Sequence, residues 1–249
     1  MPWTRTLAAT LAACACTPAV ALAAPTATMT AAFTPERLGA PTTITASFKI
    51  SWTEPRPPVL TGTQLAYPRN LGFAASGLGL APCDPAVLEE NGPEACPANS
   101  HMGGGSALVE VPIGGLLNLE TVALTVLAGP SPNGYLHLLV SAVGASPVAA
   151  LVVLYAELRP GRLSITVPPI PTLPEGPHVA LVAMHLTLGG HLTYYQRVHG
   201  RNVAYHPSGI RLPDSCPRGG FPFASTFAFL DGRHASAHTR VACPHKRSH

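Results

Sequence analysis

A chain of 249 residues with 47% apolar side chains can furnish a sizeable core, which excludes a disordered protein. Only 11% of residues are charged, Lys49 and Lys246 are the only lysines among fifteen basic residues, and a formal charge of +3 is too mild for a nucleic-acid surface. The 28 Pro and 23 Gly scattered among short apolar runs break helices and favour many short strands joined by turns.

The chain opens on Arg5 and a mostly apolar, Ala-rich run at 7–22, with small residues for cleavage at Ala21-Leu-Ala23. This pattern predicts an export signal over 1–23 and an exported domain over 24–249. Leu11-Ala-Ala-Cys14 also matches lipoprotein processing, which would anchor the protein in the envelope through a lipid on Cys14. Secretory cleavage is favoured, because the apolar stretch ahead of Cys14 is very short. Beyond the leader the longest apolar run, 148–156, falls far short of membrane length, so no transmembrane segment is expected in the mature chain.

Twelve segments then read as strands: 28–33, 42–52, 61–67, 106–111, 121–127, 135–140, 148–154, 163–167, 179–188, 193–198, 223–230 and 235–241. In the second, Ile44, Ala46, Phe48 and Ile50 alternate with Thr, Ser and Lys, which buries one face and wets the other. The segment 178–188 is apolar on both faces in its middle and reads as a central strand. Gly103-Gly-Gly105 reads as a turn or bulge entering a strand, and the Pro-rich breaks at 55–58 and 168–174 as crossovers. The expected fold is all-β, an antiparallel β-sandwich, immunoglobulin-like in one version, with one short helix inside a disulfide loop.

Cys14 and Cys16 fall in the leader, which leaves Cys83, Cys96, Cys216 and Cys243. An even set in an exported chain implies two disulfides, with three connectivities open. Local pairing is favoured. Between Cys83 and Cys96, Asp84 can cap a helix that Pro85 begins and Gly92 ends. Between Cys216 and Cys243, Asp231-Gly232 predicts a hairpin whose open end brings both cysteines together.

Ser76-Gly-Leu-Gly-Leu-Ala-Pro-Cys83, Cys96-Pro-Ala-Asn-Ser-His-Met-Gly103 and Ser215-Cys-Pro-Arg-Gly-Gly-Phe-Pro-Phe223 resemble elements of exported surface-type domains of high-GC bacteria. The likeness spans roughly residues 30–243, and Cys-Pro-x-x-Ser-x-x-Gly is its most specific element. It implies an exported β domain, and it implies no catalytic residues, because that family has no assigned activity.

Catalytic motifs are wanting. Gly104-Gly-Ser106-Ala-Leu108 lacks the last glycine of a nucleophile elbow, and no His-Glu-x-x-His, EF-hand or phosphate-binding loop occurs. His185, His191, His199 and His206 share one stretch with three tyrosines, where a metal or sugar site is conceivable, but a turn at His199 and ordinary hydrogen bonding at His185 explain them better. His234 and His238 read as solvated hairpin residues. Glu110 and Glu120 flank the Gly114-Gly115 turn and, like Glu89 and Glu90, read as exposed structural carboxylates. The densest run of aromatic, Arg and amide side chains, 192–205, supplies the candidate binding surface: Tyr194, Tyr195, Arg197, His199 and Arg201. The sequence therefore leads to an exported structural or binding module of the cell surface or envelope, with no cofactor or metal, no nucleic-acid partner, and a cell-envelope component or surface protein as its partner. The alternative is a secreted carbohydrate-active or other hydrolase whose acids would converge on Tyr194, Arg197 or His199.

Overall fold

The computed structural model describes residues 23–73, 81–114, 116–189, 193–205 and 210–244. The expected leader up to residue 22, the lipoprotein alternative at Cys14, and His191 and His206 lie outside the described residues. The strands are β1 (Thr26–Thr34), β2 (Pro41–Ser51), β3 (Leu60–Ala66), β4 (Gly72–Phe73), β5 (His101–Ile113), β6 (Leu116–Ala128), β7 (Leu136–Gly144) and β8 (Ala150–Arg159). They continue with β9 (Arg162–Thr166), β10 (Ala180–Leu188), β11 (Tyr194–Val198), β12 (Arg201–Tyr205), β13 (Ile210–Arg211), β14 (Phe221–Phe229) and β15 (His234–Val241). Each of the twelve expected segments is a strand. β4, β12 and β13 were not expected, and two of these are only two residues long, too short to show any alternation.

Thirteen strands belong to one antiparallel sheet that runs β15-β14-β3-β9-β8-β7-β6-β5-β10-β2, with β1 on the other side of β2 and the short β13 and β4 continuing from its start. β1 comes round to lie along β15, so the sheet nearly closes into a barrel. The all-β antiparallel expectation holds, but the two stacked sheets of a sandwich are not seen. Alternation gives each strand one dry face, and a sandwich and a barrel use that face alike. The segments expected to cross between sheets instead cross one end of the barrel. Residues 52–59 link β2 to β3, and residues 167–179 link β9 to β10. That end, which also carries the β5–β6 and β14–β15 turns, is called the upper end below.

Register fixes the inward set. Ile44, Ala46, Phe48 and Ile50 of β2 stand opposite Phe33, Ala31, Met29 and Ala27 of β1, all facing the interior. The alternate positions, among them Thr28, Thr30, Ser47 and Lys49, face outward. On these two strands the pattern is the reverse of a membrane barrel's, whose apolar residues face out. Among the described residues, no helix is long and apolar enough to cross a membrane.

Both disulfides join the expected partners, Cys83 to Cys96 and Cys216 to Cys243. Inside the first loop lies α1 (Pro85–Asn91), capped by the Asp84 carboxylate, which accepts from the Ala86 N–H at 2.9 Å, and ended at Gly92 with φ +79°. Leu88 of α1 is fully buried against both cysteines and the outward-facing Leu127 and Leu139, so the disulfide loop shields one apolar patch of the outer wall. Gly103–Gly105 lies within β5, with a bulge at its entry between His101 and Gly103. A Cβ at Gly103 or Gly105 would fall 2.0 Å from the Thr187 or His185 carbonyl oxygen of β10, so the glycines permit a close strand approach.

Candidate functional site

The surface expected from sequence forms a separate ribbon, β11 paired with β12, at the lower end of the barrel, where it packs near the 3₁₀ turn at Ala98–Ser100. His199 and Gly200 make the expected turn, and both are at positive φ. Tyr195 is 68% exposed, and Arg197 is exposed on the same face. Arg201 pairs with Val198 and so stands on the opposite face, while His199 sits at the tip. Tyr194 pairs in register with Tyr205 at the ribbon's open end. By register Tyr195 and Arg197 fall on one face of the ribbon and Tyr194 and Arg201 at positions of the other, so the five candidates do not form one surface.

A more developed site lies inside the barrel. The interior has two halves of different chemistry. Phe33, Phe48, Phe221, Phe223, Phe227 and Phe229 fill the side formed by β1, β2, β14 and β15, with Phe33 edge-on to Phe221 at 5.4 Å and Phe48 tilted on Phe227 at 5.0 Å. Across from them, the lower inward positions of β5 to β9 pack a second core that includes Val126, Leu138, Leu158 and Leu163, while toward the upper end the inward positions are mostly Ala and Val, among them Val109, Val122, Ala142, Ala150 and Val152. Such side chains are too short to meet across the lumen, and a cavity of about 220 Å³ remains. Val109, Val122, Ala142, Val152 and Ile165 face this space and stay only partly buried although they point inward.

Pro168, Ile170, Pro171 and Thr172, from the strap that crosses the upper end, roof the cavity. The strap is held by the Thr172 hydroxyl, which donates to the carbonyl oxygens of Pro112 and Pro177 at 3.1 and 2.9 Å. The neighbouring 52–59 segment is tied down by an ion pair between Glu54 and Arg233, and Arg233 also meets Asp231 at 2.8 Å. Leu116, Leu119 and Leu173, all about 60% exposed or more, stand at this same end.

Of the described residues lining the cavity, only Thr63, Glu120 and Thr172 have polar side chains. Thr63 shares a hydrogen bond with the Ser225 hydroxyl at 3.1 Å, and Thr172 is engaged as above. Glu120 is 5% exposed, and its Oε1 accepts from the N–H groups of Ala145 and Ser146 at 2.8 and 3.0 Å, which anchors the β7–β8 loop. Gly144 makes the fit possible, since a Cβ there would lie 2.7 Å from Oε1.

Glu110 and Glu120 were expected to be exposed, and the structure corrects this. Glu110 is 4% exposed, faces outward, and is covered by the 52–59 segment, in a crevice with Arg56, Leu117 and His178. Its Oε1 is buried without a hydrogen-bond partner, and burial pushes its carboxyl above the usual range, partly offset by the charge of Arg56. Turn proximity misled the sequence reading, because crossing segments cover this end of the barrel. The two acids stand on opposite faces of the wall and at the opposite end from the ribbon, so they do not converge with Arg197 or His199 as the hydrolase alternative requires.

The Ser47 hydroxyl lies 2.8 Å from His185 Nδ1 on the outer wall, a contact that could activate a nucleophile. Both residues sit in the middle of paired strands, whose N–H groups are committed to the ladder, so the pair lacks oxyanion donors. Among the described residues, no three His, Cys, Asp or Glu side chains come together as a metal site. His234 and His238 are exposed on β15.

The chemistry of the cavity is thus that of a container: apolar walls, a tethered roof, and one acid at the upper end. Comparisons with protein-family models, with curated proteins and with solved structures return no match.

Proposed function

We propose that this chain is an exported binding module of the cell surface or envelope that holds an apolar ligand in the lumen of its barrel, with no catalytic role. The observation that carries this reading is the cavity of about 220 Å³ roofed by the 168–172 strap. An apolar cavity of about 150 Å³ stays dry and takes up benzene, so a larger space of the same character accepts a larger apolar group. Inward-facing valines that remain partly exposed are unfavourable when wet, and a ligand removes that cost. Exposed leucines at the same end suit a ligand that arrives from an apolar environment. Export agrees with the two disulfides, which persist in oxidising compartments. It also agrees with the leader pattern and with the resemblance to exported surface-type domains.

The test is saturable binding of an environment-sensitive apolar dye to the oxidised protein, compared with Ala142→Phe and Val152→Phe, which fill the lumen from two strands. The reading requires binding by the native chain and its loss in both variants, with folding unchanged by circular dichroism. Undiminished binding in both well-folded variants would refute it.

A further inference from the structure

We infer that Glu120 selects the polar end of the lumen ligand, and that this ligand is a single-chain amphiphile whose head donates hydrogen bonds, an alkylammonium above all. The inference rests on the lumen reading above and deepens it. Three polar side chains line the cavity, and those of Thr63 and Thr172 are engaged with protein partners. Glu120 is different: both loop N–H groups meet the same oxygen, Oε1, and among the described residues Oε2 receives no hydrogen bond. This second carboxylate oxygen is a strong acceptor without a protein donor, open to the head of a molecule that enters the cavity.

The loop bonds explain why a carboxylate is tolerated at this position, and they also fix its direction, since a group anchored through one oxygen presents the other at a set place. Among the described residues, no Lys, Arg or His lines the cavity. An anionic head would therefore enter without a counter-ion and face a like charge, whereas an ammonium would form a charge-assisted hydrogen bond, about twice as strong as a neutral one. The remaining lining, from Val109 and Val122 to Ile165 and Met184, offers only apolar contact and suits an alkyl chain. The position of Glu120 at the upper end, against the β7–β8 loop, places the head near the roof and the chain toward the phenylalanine-filled half.

The experiment displaces a lumen-bound apolar dye from the oxidised protein at neutral pH with dodecylamine, dodecanol and dodecanoate, each below its micellar concentration. The expected order is amine, then alcohol, then carboxylate, with about tenfold or more between the first and last. In Glu120→Gln, whose amide oxygen can still accept from Ala145 and Ser146, the amine and the carboxylate should converge to within about threefold. Equal displacement by all three, or a preference for the carboxylate, overturns the head-group inference and leaves the lumen reading standing. A preference for the amine that survives unchanged in Glu120→Gln also overturns it. Failure of every amphiphile to displace the dye overturns both. The comparison of the three heads on the unaltered chain decides the matter even if Glu120→Gln fails to fold.

Discussion

The two halves of the barrel interior use the same strand alternation to opposite ends. On one side, inward positions of β14 carry Phe221, Phe223, Phe227 and Phe229, all buried, and rings from neighbouring strands interlock with them. On the other, the lower inward positions of β5 to β9 pack around Val126, Leu138, Leu158 and Leu163, but toward the upper end Val109, Val122, Ala142 and Val152 leave the space open. Side-chain volume, not pattern, separates a core from a container. The phenylalanine side and the packed lower part of the other side supply the stability that lets the upper space remain unfilled, because a barrel lined throughout by Ala and Val would forfeit dispersion contacts along its whole length.

The comparison breaks most directly at its filled side. Phe227 is fully buried, so Phe227→Ala should cost about 3–5 kcal/mol, read from denaturant unfolding of the oxidised protein. Ala142→Phe in the open half should cost far less, and less than about 1.5 kcal/mol while abolishing lumen binding. If the two substitutions destabilise equally, the halves do not differ in packing as described.

Next in size are the clamps. The Cys216–Cys243 bridge closes a separation of 27 residues around the phenylalanine-bearing hairpin, and replacing both cysteines with Ser should cost about 3 kcal/mol. The Cys83–Cys96 bridge spans 13 residues and secures α1 on the outer wall beside the open half. Its removal should cost about as much and expose Leu127 and Leu139, detectable by faster hydrogen exchange at those positions in β6 and β7.

Glu110 offers a smaller effect of opposite sign. Its buried, unpartnered oxygen is a liability, and Glu110→Leu should stabilise the protein by about 1–2 kcal/mol at neutral pH. Because burial raises this carboxyl above its unfolded value, its contribution is fully present below the ordinary carboxylate range and is lost as pH rises through the raised value. The stabilisation in Glu110→Leu should therefore shrink on acidification, which thermal unfolding at pH 4 and pH 7 would show. A gain independent of pH would mean that burial does not govern this group.

The fold was legible where sequence carries period and punctuation. Ile44 to Ile50 alternated visibly, Asp84, Pro85 and Gly92 framed a helix, and Asp231-Gly232 announced a hairpin that bridges two cysteines. The barrel was not legible, because closure depends on how many strands share a sheet, and alternation does not report it. The cavity left only a faint trace, the clustering of Phe at inward positions of 221–229 against the small Val109, Val122, Ala142 and Val152 at the upper inward positions of β5 to β8, which becomes readable once the register is known. The ribbon attracted attention through composition, yet pairing placed Arg197 and Arg201 on opposite faces. Tyr195→Ala with Arg197→Ala should accordingly change stability by less than about 0.5 kcal/mol and leave lumen binding untouched.

The central claim, that the aliphatic half of the barrel is a ligand site, is tested most directly by methyl-resolved NMR of the oxidised protein during titration with dodecylamine. The account predicts saturable shifts in the methyls of Val109, Val122, Val152 and Ile165, with Val153 and Leu119 on the outside and Val198 and Val203 on the ribbon unmoved. Shifts confined to the ribbon or the outer wall, with the lumen methyls silent, would contradict it.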